Sequence, residues 1–276
     1  MIMNALIQTY KIIYILFALG IFISTTEYLA KIKIFSSKGM LSCDLQQINW
    51  KSREGNGILK QLLSTIFSED GLKYIFLFRS INIVLLFIVP LSSPVGWVLL
   101  IILGLSIYTA SLMTRYGSDG SDQMTLLIII TLIVCLVPTG SRLLLYAGIW
   151  FIALQSCLSY AVAGISKLAS TEWRASTAIR SIFSTKTYGS ERAAQFLKNK
   201  RTMNIFLCWN VMLTEALFPL CLILPLPFAI AFLVWGFTFH LLNAIIMGLN
   251  SFFWAFMATY PAILFVNLQI HQLLYA

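Results

Sequence analysis

The sequence has few charged residues for its length, and this scarcity excludes an ordinary soluble fold. Charged residues make up 11% of the 276 residues, whereas hydrophobic residues make up 59%. Soluble domains carry about 25% charged residues. The hydrophobic runs are continuous and do not alternate with polar residues, which excludes a transmembrane barrel. These features predict an all-α, polytopic membrane helical bundle whose partner is the lipid bilayer.

Metal-binding and disulfide patterns are also missing. The chain contains five cysteines and two histidines, with no CxxC pair and no cysteine/histidine cluster. Four cysteines lie inside apolar runs, and only Cys43 lies in a loop. The sequence therefore indicates neither a zinc site nor a disulfide framework, and we expect no bound metal.

Long apolar runs divide the chain into about eight expected membrane spans. A helix needs about 20 apolar residues to cross the hydrocarbon core. The expected spans cover approximately residues 10–29, 73–91, 95–114, 124–137, 143–167, 203–222, 228–249 and 252–268. We expect a single transmembrane domain over residues 1–276, with both termini on the same side of the membrane.

The net charge of +9 is concentrated in two basic loops, at about residues 30–71 and 168–202. In a soluble protein this excess would suggest nucleic acid. Between membrane spans it sets orientation and attracts anionic lipid, so we expect no nucleic-acid partner. The later part of the first loop, residues 57–76, has apolar residues near helical spacing, which predicts an amphipathic helix at the interface.

Span five ends in a polar stripe that carries a lysine. Ser156, Tyr160 and Lys167 repeat at helical spacing on one face, and Gly164 lets a neighbouring helix approach closely. In the simplest interpretation, Lys167 extends its amine to water and marks the membrane surface. In the alternative, desolvation makes the amine lose its proton readily, so that it acts as a base.

Other polar residues lie inside spans, where a charge costs about 2.5–3.5 kcal/mol on insertion scales. Glu215, in span six, is expected either to act in a site or to form a structural pair with Arg79 or Lys11. His240 and Asn243 share a face of span seven. His240 is expected either to make an interhelical hydrogen bond or to act in catalysis.

Acid and amide side chains mark the start of span four. Asp119 and Asp122 either line a site as a carboxylate pair or begin the helix. In the second interpretation Asp119 or Ser121 is the N-cap, and Asp122 favours the positive end of the helix dipole. The start of span four and the end of span five belong to the same side of the membrane. We therefore expect Asp122, Gln123 and the amine of Lys167 to converge.

Four short segments resemble a known membrane family. AGISKL, followed by Trp173, resembles the segment around the base lysine of vitamin K-dependent gamma-carboxylases. FHLLNAIIMGLNSFFWAFMATYPAILF, at 239–265, and FSSKGMLSCDL, at 35–45, are similar to other segments of that horizontally transferred transmembrane domain family. SDGSDQMTLL, at 118–127, is similar to the DGGDQ-type turn of its bacterial sporulation-delaying protein B branch.

This resemblance implies chemical roles for several residues. Lys167 falls on the lysine that deprotonates vitamin K hydroquinone in the carboxylases, and His240 and Asn243 fall on their His/Asn helix. It implies Lys167 and His240 as catalytic candidates, with a lipid-soluble, quinone-like cosubstrate. The candidate substrate-binding residues, from the resemblance and the polar groups above together, are Tyr160, Asp119, Asp122, Gln123, Trp173, Glu215 and Asn243.

The resemblance also implies a biological setting. Its closest branch is needed to make an exported toxic peptide, which implies a bacterial cytoplasmic membrane protein acting in maturation or export of a secreted antimicrobial-type peptide. The implied partners are the peptide precursor and companion maturation proteins. A non-catalytic immunity or peptide- or lipid-binding protein is an alternative, so enzymatic activity stays open. A small transporter ranks last, because inverted repeats and paired broken helices were not found in the sequence.

Overall fold

The computed structural model describes residues 2–35, 65–112, 119–185 and 189–275. All regular elements in these ranges are helical, and no strand occurs within them. The all-α class expected from the sequence is thereby confirmed. Cys43, residues 36–45 of the family resemblance and the start of the predicted amphipathic helix lie outside the described residues.

The helices follow the apolar runs closely. They are α1 (Ile2–Ala30), α2 (Glu69–Ile88), α3 (Pro94–Ser111), α4 (Gly120–Cys135), α5 (Arg142–Ala169), α6 (Thr171–Arg174), α7 (Ala178–Phe183), α8 (Glu191–Leu197), α9 (Arg201–Leu217), α10 (Leu226–Met247), α11 (Asn250–Met257) and α12 (Tyr260–Tyr275). Two 3-10 helices, Ile32–Phe35 and Phe218–Leu222, follow α1 and α9.

Seven helical segments in the described part of the chain are long and apolar enough to cross a membrane, which confirms a polytopic integral membrane protein. α9 counts together with its 3-10 extension, and α11 together with α12. The expected fourth span is the shorter apolar helix α4, of 16 residues. A helix of that length rises about 24 Å, less than the hydrocarbon thickness of about 30 Å. Eight complete crossings therefore stay a prediction.

The chain divides into two compact units. The first contains Met1–Phe17 and Arg142–Ala276, and the second contains Ala18–Ser141. The start of α1 belongs to the first unit and the rest of α1 to the second. That the two units form the single membrane domain expected from the sequence stays a prediction.

The first unit is built around α5, which packs against α9 and α12. The buried residues of α5 recur at helical spacing, from Ile149 and Ile152 to Tyr160 and Gly164. Such spacing gives one continuous face for neighbouring helices. The start of α1 joins this unit through the Tyr10 hydroxyl, which donates to the carbonyl of Leu145 at 2.8 Å.

The second unit packs α2 against α3, and α3 against α4. The turn between α2 and α3 is tight, since Ser93 N–H donates to the Pro90 carbonyl at 3.0 Å. The Ser93 side chain then caps α3 by accepting from Gly96 N–H at 3.0 Å. The amphipathic helix predicted over residues 57–76 overlaps α2, which begins at Glu69. Residues 69–76 are therefore the start of a membrane-length helix and not the end of an interfacial one.

The second basic loop, expected over residues 168–202, folds into the three short helices α6, α7 and α8. Sequence patterns did not predict them, because segments this short carry too few apolar residues to show a period. Glu172 lies at the start of this loop, outside the membrane-length helices. The Ser170 hydroxyl donates to its carboxylate at 2.8 Å, and this hydrogen bond lowers the pKa of Glu172.

Candidate functional site

The first unit contains a partly buried ion pair between Lys167, in the last turn of α5, and Glu215, near the end of α9. The Lys167 side chain is 22% exposed, whereas that of Glu215 is 4% exposed. The expectation that Glu215 pairs with Arg79 or Lys11 is therefore wrong, because the helix that packs on α9 is the one that carries Lys167.

A glycine explains why these two side chains meet. A Cβ atom on Gly164 would lie 2.2 Å from the Ala216 backbone nitrogen and 2.8 Å from the Glu215 carbonyl carbon. Only glycine lets two helix backbones approach so closely. Lys167 follows Gly164 by one turn, and Glu215 precedes Ala216. The close approach predicted at Gly164 is thereby confirmed, and it places amine and carboxylate side by side.

The amine of Lys167 also faces an aromatic ring. Lys167 Nζ lies 5.4 Å from the centre of the Trp173 ring, within the range of a cation–π contact. Trp173 is half-buried in the short helix α6, which begins two residues after α5 ends. The amine is therefore held between a carboxylate and an indole ring, a more specific environment than that of a lysine extended into water.

Tyr160 is the centre of a second polar group, deeper in the same unit. Its hydroxyl lies 2.9 Å from the Tyr260 hydroxyl and 2.8 Å from His240 Nε2. Its ring stacks on Phe218 with centroids 3.8 Å apart. Three helices, α5, α10 and α12, thus meet at one hydroxyl. Tyr160 was predicted on the polar stripe, whereas nothing in the sequence pattern singled out Tyr260.

His240 is buried, 4% exposed, and stacks on Phe256 with ring centroids 4.6 Å apart. Its Nε2 bonds to the Tyr160 hydroxyl, which is the interhelical hydrogen bond expected as one of its two roles. Within the described part of the chain its buried Nδ1 has no hydrogen-bond partner. Its catalytic role stays a prediction, and what the geometry shows is an imidazole that contacts the Tyr160 hydroxyl, which in turn contacts the Tyr260 hydroxyl.

Gly236 makes room for the two tyrosine hydroxyls. A Cβ atom there would lie 2.2 Å from the Tyr260 oxygen and 3.0 Å from the Tyr160 oxygen. Gly236 precedes His240 by four residues, so both lie on the same face of α10. A glycine one turn before an intramembrane histidine is the sequence signal that would have pointed to this network.

The polar face of α5 begins at Ser156. Its hydroxyl lies 2.8 Å from the Thr259 hydroxyl, in the break between α11 and α12. α11 and α12 together form the membrane-length segment expected as the eighth span, and the break within it was not predicted. Pro261 follows Thr259 by two residues, and proline has no backbone N–H to donate to the preceding helical turn. Its position was the signal in the sequence that could have predicted the break.

The acidic residues at the start of α4 belong to the second unit. Asp119 is the N-cap, and its carboxylate accepts from the backbone N–H groups of Ser121 and Asp122, both at 2.9 Å. The helix-start interpretation is thereby confirmed. Asp119 and Gln123 are exposed, and Asp122 is half-buried. Their convergence with Lys167, which lies in the first unit, stays a prediction.

Asn243 lies one turn after His240 on α10 and is half-buried. Its backbone carbonyl accepts from Leu249 N–H at 3.3 Å, where α10 ends in Gly248. Gly248 has φ 73°, a left-handed conformation that favours glycine at a helix C-terminus. Asn243 therefore contributes a backbone hydrogen bond at the C-terminus of α10.

No group of three or more potential metal ligands occurs among the residues that the structure describes. The chain matches no family model, no curated protein and no solved structure. Fold and site together define a polytopic α-helical membrane protein. Its first unit contains a lysine–glutamate pair and a tyrosine–histidine network.

Proposed function

We propose that this protein is a membrane enzyme of the gamma-carboxylase-like kind, acting in the maturation or export of a secreted antimicrobial-type peptide. In this proposal Lys167 accepts a proton from a lipid-soluble, quinone-like cosubstrate. The observation that carries it is the Lys167–Glu215 pair, an amine held within an apolar helical bundle while 22% of its side chain stays accessible.

The pair has the chemistry that a base requires. It holds one exchangeable proton between amine and carboxylate. With that proton on Glu215, Lys167 is an uncharged amine and accepts a proton. With it on Lys167, both groups are ionised. An ionised pair is costly in a low dielectric. Burial therefore reduces the free-energy difference between the ionised pair and the neutral pair. Glu215 thereby supports a base at Lys167.

The surroundings of the amine fit a flat, lipid-soluble ring. Trp173 presents an aromatic surface 5.4 Å from Lys167 Nζ. Flat rings pack favourably against an indole, and an adjacent amine accepts a hydrogen bond or a proton from a ring hydroxyl. Trp173 would hold such a cosubstrate and Lys167 would take its proton.

A non-catalytic peptide- or lipid-binding protein, including an immunity protein, is the second candidate. One observation favours it: the amine of Lys167 is already engaged by both Glu215 and Trp173. In that function the pair joins α5 to α9 and has no proton to transfer.

Substitution of Lys167 separates the two candidates. Lys167→Arg keeps a positive charge for Glu215, but a guanidinium does not give up its proton near neutral pH. A catalytic amine predicts about a 100-fold loss of peptide maturation or more. The measurement is mass spectrometry of mature peptide in culture medium, after co-expression with short secreted precursors encoded near the gene.

The matched control is Lys11→Arg, the same substitution at an exposed position of α1. Lys167→Ala removes both the base and the charge. All variants are compared at equal amounts of monodisperse, detergent-extracted protein. Near-normal maturation by Lys167→Arg together with loss by Lys167→Ala would contradict the base and favour the non-catalytic candidate.

A further inference from the structure

The second basic loop and the start of α9 enclose a recess of about 580 Å³ on the first unit. Four cationic side chains line it, contributed by α6, α7, the segment after α8 and α9. They are Arg174, Arg180, Lys198 and Arg201. The recess is distinct from the Lys167 site, because neither Lys167 nor Glu215 is among its lining residues.

The described residues provide no carboxylate that compensates the charge of this recess. None of its described lining residues is acidic. Of the four cationic side chains, none forms an ion pair with any described residue. Like charges gathered around one concave surface repel each other, and an anion bound there relieves that repulsion. Arginine has the additional property of binding phosphate oxygens through two parallel N–H groups.

Asn204 fixes the backbone around the recess. The residue is 7% exposed, and its Nδ2 donates to the carbonyls of Leu197 at 2.9 Å and Lys200 at 3.0 Å. These hydrogen bonds tie the end of α8 and the residues after it to the start of α9, so the segment that carries Lys198 and Arg201 is held in place.

The lining changes from polar to apolar along α9. Arg201, Ile205 and Trp209 are spaced at i, i+4 and i+8, so they share one face of the helix. Ile205 and Trp209 are exposed there. The recess therefore offers cations at one end and hydrocarbon contact at the other, and tryptophan is enriched where membrane proteins meet lipid head groups.

We propose that this recess binds an anionic phospholipid. The arginines hold the phosphate, and the start of the acyl chains lies along Ile205 and Trp209. Inorganic phosphate shares the charge but has no acyl chains. The proposal is independent of the chemistry at Lys167.

The test uses the purified full chain in detergent and measures the midpoint of thermal unfolding during titration. The probes are dioctanoyl phosphatidylglycerol, dioctanoyl phosphatidylcholine and inorganic phosphate. Only the phosphatidylglycerol probe is expected to raise the midpoint with saturation. Arg180→Gln and Arg201→Gln should each weaken its apparent affinity about fivefold, since a basic residue near anionic lipid contributes about that factor.

Arg192→Gln is the matched control, since it removes the same charge from the same loop at an exposed position outside the recess. Its affinity for the probe should stay close to that of the unaltered chain. An equal loss in Arg192→Gln would overturn the site in favour of diffuse attraction. An equal rise with inorganic phosphate would overturn the lipid assignment, and no rise with phosphatidylglycerol would overturn both.

The substituted arginines are exposed, so the variants should fold. Without lipid, their unfolding midpoints should equal or exceed that of the unaltered chain, because removing one of four like charges relieves repulsion. A lower midpoint before lipid is added would show that the cations stabilise the loop itself, and would contradict a recess kept for a ligand.

Discussion

The two compact units each hold a positive charge within a helical bundle, half-buried at Lys167 and buried at Arg79, in different surroundings. In the first unit Lys167 contacts a carboxylate, that of Glu215. In the second unit Arg79, 3% exposed, donates from Nε to the Ser106 hydroxyl at 3.0 Å and from a terminal nitrogen to the Ser106 carbonyl. Its guanidinium also lies 5.1 Å from the centre of the Phe76 ring. No acidic residue among those described pairs with it.

The difference shows two ways to keep a charge inside a membrane bundle. A lysine is a compact, strongly hydrated charge, and here it has a full opposite charge. A guanidinium is more weakly hydrated and spreads its charge over a plane, so hydroxyl and carbonyl dipoles and a ring face suit it. The first arrangement depends on two residues that must both be present, whereas the second has no partner charge to lose.

The largest expected effect breaks the pair on its acidic side. Glu215→Gln keeps the shape of the side chain but leaves the charge of Lys167 without its counter-ion. Removing one partner of a buried pair is strongly destabilising, and we expect a loss of about 3 kcal/mol in the free energy of unfolding. Chemical unfolding in mixed micelles measures it.

The control removes both charges, in Lys167→Met with Glu215→Met. Replacing a whole buried pair by apolar residues of similar size is often neutral. We expect this double variant to be more stable than Glu215→Gln, although inactive if Lys167 is the base. If Glu215→Gln has the same free energy of unfolding as the unaltered chain, water stabilises the charge of Lys167. Lys167 would then not depend on its partner charge, and the two units would not differ in this respect.

A smaller effect is expected from Arg79→Met in the second unit. The substitution loses two charge-assisted hydrogen bonds and a ring contact, but it also removes the cost of burying a charge and leaves no opposite charge behind. We expect a loss of about 2 kcal/mol, measured by the same unfolding experiment.

Arg79→Lys sharpens this test, because it keeps the charge and loses the planar fork. It should be at least as destabilising as Arg79→Met. A lysine variant as stable as the unaltered chain would show that charge alone, and not the geometry around Ser106, satisfies this position.

The smallest effect concerns the uncharged network of the first unit. Tyr160→Phe removes the hydroxyl that contacts both Tyr260 and His240. Interhelical hydrogen bonds in membranes contribute about 0.6 kcal/mol each, so we expect a loss of about 1 kcal/mol. Tyr260→Phe, which leaves the Tyr160–His240 contact intact, should lose about half as much. Equal losses would mean that the contact with His240 contributes nothing.

The sequence predicted the helices well because each apolar run must satisfy its own backbone hydrogen bonds within lipid. It also predicted that Tyr160 and Lys167 share a face and that Gly164 admits a neighbouring helix. These are properties of one helix and follow from a period of 3.6 residues. The N-cap role of Asp119 followed in the same way, from local hydrogen-bonding chemistry.

The partners of these residues were harder to predict. Glu215 could pair with any cation in the bundle, and spacing within α9 does not say which helix packs on it. The hydroxyl of Thr259 contacts that of Ser156, 103 residues earlier in the chain, and no local pattern predicts such a contact. The recess needs three short helices whose sequences have no clear period. Contacts between segments distant in sequence are therefore what the structure adds.

The backbone contact at Gly164 has a mechanical consequence for the pair beside it. With no side chain between α5 and α9 at that point, the two backbones are in direct contact, and neither helix can move toward the other without a steric clash. Glu215 lies at this contact, and Lys167 follows Gly164 by one turn of α5. The contact therefore sets the smallest separation of the two helices, while the side-chain torsions of Lys167 and Glu215 set the separation of their charges.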